Sequence, residues 1–73
     1  MKNDQQALNA LTTLSAVRTN GCFVIYRSPH NYTVKLLLEN GETLMGAVGP
    51  TLIEAVKTLI EIEEKQNEPR NNP

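Results

Sequence analysis

The chain has 73 residues, a net charge of −1, a pI of about 5.7, one cysteine and one histidine. These values exclude an internal disulfide and a Cys/His metal centre, and they lack the basic excess with which most nucleic-acid-binding domains hold phosphates. No apolar run approaches a length of about 18 residues, which a membrane-spanning helix needs. The single cysteine, Cys22, suits a reducing compartment. We therefore predict one small cytoplasmic domain without metal or cofactor.

Residues 4–18 have the pattern of an amphipathic helix. Asp4 is a candidate N-cap, and Arg18 suits the negative end of the helix dipole. Asn20-Gly21 predicts the end of the helix, because both residue types tolerate the left-handed conformation of a C-terminal cap. The apolar positions that fall on one stripe are Ala7, Ala10, Leu11, Leu14 and Val17.

Three strands are predicted next. Residues 22–27 and 32–39 are rich in apolar, β-branched and aromatic side chains, and residues 28–31 between them have turn chemistry. Asn40-Gly41 predicts a two-residue type I′ hairpin turn, since that turn needs positive φ at both central positions. Residues 42–48 form the third predicted strand.

This turn fixes how the second and third strands pair. It sets Leu37 opposite Leu44 and Leu36 opposite Met45. The predicted core face of the sheet then carries Tyr32, Val34, Leu36, Leu38, Met45 and Ala47. The other face carries Thr33, Lys35, Leu37, Leu44 and Val48. An apolar cross-strand pair therefore stands on the face that is expected to meet water.

A second helix follows the strands. Thr51 and Glu54 form a capping box that starts a helix reaching about Lys65. Its apolar residues spread over about half of the helix circumference, which is more than one sheet face requires. They are Leu52, Ile53, Ala55, Val56, Leu59, Ile60 and Ile62. Ile53 and Ile62 lie near opposite edges of this arc, and we expect at least one of them outside the core.

Together these elements predict an α+β fold. Residues 4–66 form a single domain, a three-stranded antiparallel β-meander flanked by N- and C-terminal helices in the order α-β-β-β-α. Residues 67–73 are a polar tail that is expected to be disordered. A domain of this size buries little surface by itself, which favours self-association.

Two interpretations of the surplus apolar residues remain open. Isolated surface leucines are common, and the first helix can cover the wide arc of the second. Alternatively, these residues mark a dimer or partner surface. The candidate interface residues are Thr33, Lys35, Leu37, Leu44, Val48 and Ile53.

The chain shows no pattern of catalytic residues, and we predict no enzyme activity. A histidine in a turn, such as His30, is typically solvated, and Cys22 is typical of a small buried residue. Residues 46–50 form a glycine-bearing corner before a helix, but no Lys or Arg lies close enough in sequence to favour an anion there.

The predicted order of elements over residues 4–66 resembles the double-stranded RNA-binding domain. In that family, a turn with proline and histidine joins the first two strands, as Pro29 and His30 do here. A glycine-bearing turn follows the second strand, here Asn40-Gly41, and a Gly-rich corner leads to a helix that begins with Ser or Thr, here Thr51.

The family grips phosphates with lysines just after that Ser or Thr, and this sequence departs from the pattern there. The corresponding positions hold Leu52, Ile53 and Val56. The remaining candidate contacts to nucleic acid or a small ligand are Arg27, His30, Thr51 and Lys57. The resemblance therefore implies the fold without its RNA-binding chemistry, and a dimerisation or protein-docking role.

The start of the second predicted helix resembles a different protein family. The helix "TLIEAVKTLI", residues 51–60, follows a short meander and is similar to the partial RNase-H-like domain of HicB-type antitoxins, whose helix often starts "TLEEA". This resemblance implies a protein that masks a toxin.

We predict a small non-enzymatic binding protein that acts through protein–protein contacts, as a homodimer and with another protein. The roles that fit are an adaptor, an antitoxin-like partner, or an inhibitor of a host protein encoded by a phage or mobile element. Neither a membrane nor a nucleic acid is expected as a partner. The alternative is a module that binds double-stranded RNA or a small nucleotide or metabolite.

Overall fold

A computed structural model describes residues 3–67 of the protein. It contains α1 (Asp4–Arg18), β1 (Phe23–Arg27), β2 (Tyr32–Leu37), β3 (Thr43–Gly49) and α2 (Leu52–Asn67). The strands form one antiparallel sheet in the order β1-β2-β3, which confirms the predicted α+β fold and its α-β-β-β-α order. The predicted disordered tail lies outside the described residues from position 68 onward.

Local capping sets both ends of α1. The N-cap is Asn3 and not Asp4, because the Gln6 N–H donates to the Asn3 side-chain oxygen at 3.0 Å. Asp4 is instead the first helical residue, where its negative charge interacts favourably with the positive end of the helix dipole. The predicted end of the helix is confirmed, since Asn20 and Gly21 have φ values of 56° and 88°.

The buried stripe of α1 differs from the prediction at its last turn. Leu11 and Ser15 are fully buried, whereas Val17 is 76% exposed. At about 100° per residue, Ser15 lies about 40° around the helix from Leu11, and Val17 lies about 120° away. Because α1 packs mainly against α2 and not on the sheet, its contact stripe is narrow, and Val17 falls outside it.

The core lies between α2, α1 and one face of the sheet. Its buried hydrophobic residues are Ala7, Leu11, Val34, Leu36, Met45, Ala47, Ala55, Val56 and Leu59. The wide apolar arc of α2 meets the sheet on one side and α1 on the other. Both Ile53 and Ile62 are half-buried and pack against the core, so the expectation that one of them lies outside it is wrong.

The register of β2 and β3 is confirmed in its central part and wrong near the turn. Val34 pairs with Ala47 and Leu36 pairs with Met45, as predicted. A bulge then shifts the ladder, so that Leu37 faces Thr43 and not Leu44.

The loop between β2 and β3 explains this shift. The Leu38 carbonyl accepts from the Gly41 N–H at 2.9 Å, and the Leu38 N–H donates to the Glu42 carbonyl at 2.7 Å. Gly41 has φ 90°, but Asn40 does not adopt positive φ, which a type I′ turn requires. The Asn40 Oδ1 instead accepts from the Glu42 N–H at 2.9 Å. The loop therefore has three residues, Glu39 to Gly41, and Leu38 at its start is 38% exposed although it was predicted in the core.

Candidate protein-interaction surface

The side of the sheet that faces away from the helices is the main candidate surface. We call it the open face, and it carries Val24, Tyr26, Thr33, Lys35, Leu37, Gly46 and Val48. The strand register arranges these residues in rows that cross all three strands. The bulge residue Leu44 lies near the start of β3 and is 36% exposed.

Lys35 occupies the middle of the open face. It pairs with Val24 on one side and with Gly46 on the other. A Cβ atom at Gly46 would lie 3.2 Å from the Lys35 Cγ, so the glycine leaves room for the lysine stem. The Lys35 Nζ lies 5.4 Å from the centroid of the Tyr26 ring, within the range of a cation–π contact. The aromatic ring thus holds one positive charge above an uncharged surface.

Apolar side chains stand around this charge. Tyr26 and Val48 flank Thr33 in one row, and they are 56% and 55% exposed. Leu37 and Leu44 lie near the β2–β3 loop. The open face is therefore an apolar surface with a central cation, which is suited to a protein surface of complementary shape and charge.

The six predicted interface residues do not form one surface. Thr33, Lys35, Leu37 and Val48 share the open face, and Leu44 lies beside them in the bulge. Ile53 is on α2, on the other side of the sheet, where it packs against the core. Tyr26 and Gly46 also lie on the open face but were not among the predicted interface residues. The pairing of β1 with β2 is the signal that would have placed Tyr26 there.

Three of the four predicted ligand contacts, Arg27, His30 and Thr51, lie at the end of the sheet opposite the β2–β3 loop. Arg27, Tyr32 and Gly49 form one row across the sheet, and the Arg27 guanidinium lies 5.8 Å from the centroid of the Tyr32 ring. The turn with His30 adjoins this row. Thr51 follows it along the chain, but its hydroxyl accepts from the Glu54 N–H at 3.1 Å and so acts as the N-cap of α2.

The α2 positions that hold lysines in double-stranded RNA-binding domains face the core here. Val56 is fully buried, and Leu52 and Ile53 are half-buried against the core. Lys57 is exposed on the same helix. This side of α2 is thus occupied by packing, and only Lys57 of these residues presents a charge to solvent.

One cleft lies between the end of α1 and the β2–β3 loop. Its volume is about 220 Å³, and it is lined by Arg18, Thr19, Asn20, Leu38 and Glu39. Sites for small organic ligands usually measure about 300–1,000 Å³. The cleft is smaller than that range, and its lining contains none of the predicted ligand contacts.

Two further features of the described part of the chain bear on the kind of protein. Over residues 3–67, His, Cys, Asp and Glu side chains do not cluster in threes as a metal ion would require. Neither α1 nor α2 combines the length and the apolar character needed to cross a bilayer.

No protein-family model, curated protein or solved structure matches the chain. The inference about function therefore depends on the surfaces described above.

Proposed function

We propose that the chain is a small, cytoplasmic, non-enzymatic binding protein that acts through protein–protein contacts and works as a homodimer. The observation that carries the contact with a partner protein is the open face, an apolar surface with Lys35 held at its centre by Tyr26. The homodimer is proposed because a domain of 73 residues buries little surface by itself. An adaptor, an antitoxin-like partner and an inhibitor carried by a phage or mobile element all act by occupying a protein surface in this way.

The central charge favours a different protein over a second copy as the occupant of the open face. If two copies stacked these faces about a two-fold axis near Lys35, two ammonium groups would meet in a desolvated interface, at a cost of several kcal/mol. A partner with one Asp or Glu inside an apolar patch would pair with Lys35 and cover Tyr26 and Val48. We therefore assign the open face to a partner protein with such a patch.

The packing of α2 favours a protein partner over RNA. In the fold that the chain resembles, lysines at the start of the second helix supply much of the affinity for phosphates. Here Leu52, Ile53 and Val56 at those positions stabilise the core, so their side chains do not reach a ligand. A nucleic-acid partner would have to bind without those lysines, through other side chains such as His30, Lys35 and Lys57.

A capture experiment with matched variants tests the proposal. The tagged protein is incubated with a nuclease-treated lysate of the cells that carry its gene, and each captured protein is then purified and titrated. We expect Val48→Asp and Lys35→Glu to weaken binding at least tenfold, because each opposes the apolar surface or its charge. The control, Val17→Asp, changes a residue on α1 that is 76% exposed, and it should bind like the wild type.

Equal binding by all three variants would refute the role of the open face. A partner that is captured from an untreated lysate but not from the nuclease-treated one would be a nucleic acid, or bound through one, and would contradict the proposal.

A further inference from the structure

Within residues 3–67, the outer edge of β1 has no strand partner, because the sheet order is β1-β2-β3. Two backbone hydrogen bonds show which of its residues bond to β2. The Leu37 N–H donates to the Cys22 carbonyl at 3.0 Å, and the Ser28 N–H donates to the Asn31 carbonyl at 2.8 Å. Because bonding alternates along an antiparallel ladder, the even-numbered residues of β1 bond to β2.

The odd-numbered residues of β1 therefore direct their backbone groups away from the sheet. These residues are Phe23, Ile25 and Arg27. An unpaired strand edge can bond to a strand of another chain, and proteins usually prevent this with a lysine, a proline or a bulge at the edge. The other edge strand, β3, has its bulge at Leu44, but β1 pairs without interruption through all 5 residues, and only Arg27 at its end is charged.

We propose that β1 pairs in antiparallel fashion with β1 of a second copy, about a two-fold axis at Ile25. In this register Ile25 faces its own counterpart, Phe23 faces Arg27 of the other copy, and every outward N–H of the strand finds an outward carbonyl. The pairing joins the two three-stranded sheets into one continuous sheet.

Charge and hydrogen bonding select this register over its neighbours. A slip of one residue would set outward groups against residues that bond to β2, and longer slips leave outward groups unpaired or bring the two Arg27 side chains together. In the central register the two Arg27 residues are at opposite ends of the ladder, about 13 Å apart along the strands. Each Arg27, whose guanidinium lies 5.8 Å from the centroid of the Tyr32 ring, then faces the uncharged Phe23 of the other copy.

The side chains of β1 fit this arrangement on both faces of the sheet. On the helix side, Ile25 is 37% exposed and would be covered by its counterpart. On the other side, Val24 would face Tyr26 of the second copy, so that the two open faces become one broad surface. This inference deepens the homodimer of the proposed function, but it uses a different surface from the one assigned to the partner protein.

Solution mass measured by light scattering over a concentration series tests the pairing. We expect a wild-type dimer and folded monomers for Ile25→Lys, which sets two ammonium groups on the axis, and for Ile25→Pro, which removes an outward N–H without breaking a bond to β2. The control, Leu44→Asp, changes a residue near the start of β3 and should remain a dimer. A dimer that forms through the open faces would instead be broken by Leu44→Asp and would survive both Ile25 changes.

A charge-complementation experiment keeps the test independent of folding. Ile25→Glu and Ile25→Lys should each be monomeric, and an equimolar mixture of the two should form a heterodimer, because the Ile25 positions face one another. Amide exchange gives the register, with protection of the Phe23, Ile25 and Arg27 N–H groups that rises with concentration. A wild-type monomer up to about 1 mM, or a mixture that fails to associate while both variants are folded, would overturn the proposal. Neither result would affect the assignment of the open face, which is read out by partner binding.

Discussion

At the scale of single residues, Gly49 has the most demanding environment. A Cβ atom there would lie 2.5 Å from the backbone nitrogen of Ala55 and 2.9 Å from the carbonyl carbon of Glu54. Both neighbours are backbone atoms of the first turn of α2, which cannot move without displacing the helix. We expect Gly49→Ala to lower the free energy of unfolding by about 1–3 kcal/mol, measured by urea denaturation.

The matched control for this change is Gly46→Ala in the same strand. Its Cβ would meet the Lys35 Cγ at 3.2 Å and the Val34 carbonyl oxygen at 3.3 Å, and the flexible lysine stem can shift. The loss should therefore be clearly smaller than at Gly49. Equal losses at the two positions would mean that the close approach of β3 to α2 does not constrain the fold.

At the scale of elements, the N-cap of α2 has a measurable role. The Glu54 N–H donates to the Thr51 hydroxyl at 3.1 Å. Removing such a cap costs about 1 kcal/mol, so Thr51→Ala should lower the free energy of unfolding by that amount, and Thr51→Ser should retain most of it. Thr13→Ala, an exposed change inside α1, should instead raise stability by a few tenths of a kcal/mol, since alanine is the better helix former. Urea titrations that gave the two alanine variants the same sign would contradict the capping role.

The sequence predicted the elements well wherever local chemistry decides the structure. Asn20 and Gly21 end α1, and Thr51 starts α2, because caps and left-handed residues act over a few neighbouring residues. The prediction for the β2–β3 loop was wrong because two local preferences compete there. Asn-Gly favours a two-residue turn, but the Asn40 side chain bonds to the Glu42 N–H and keeps Asn40 out of positive φ.

The errors in the predicted burial arise from tertiary packing. Val17 fits a helical stripe as well as Ser15 does, and only the direction from which α2 approaches α1 decides which of them is buried. Lys35 and Val48 were predicted on the face that is free of helices, because strand alternation is local. The contact between Lys35 and Tyr26 was missed, since it depends on how β1 and β2 align.

At the scale of the whole molecule, α1 and α2 share one core with the sheet, and this predicts a single cooperative unit. Leu11 in α1 and Leu59 in α2 are both fully buried in that core. Leu→Ala changes at such sites lower the free energy of unfolding by about 2–5 kcal/mol. A core of this size supplies about 3–5 kcal/mol in total, so either change removes most of the stability. We expect Leu11→Ala and Leu59→Ala to lose the helix and sheet signals together in circular dichroism and amide exchange. Leu37→Ala, on the open face, should stay folded. If Leu11→Ala lost only α1 and kept a protected sheet, α1 would be an appendage, and the wide apolar arc of α2 would need a different cover, such as a second chain.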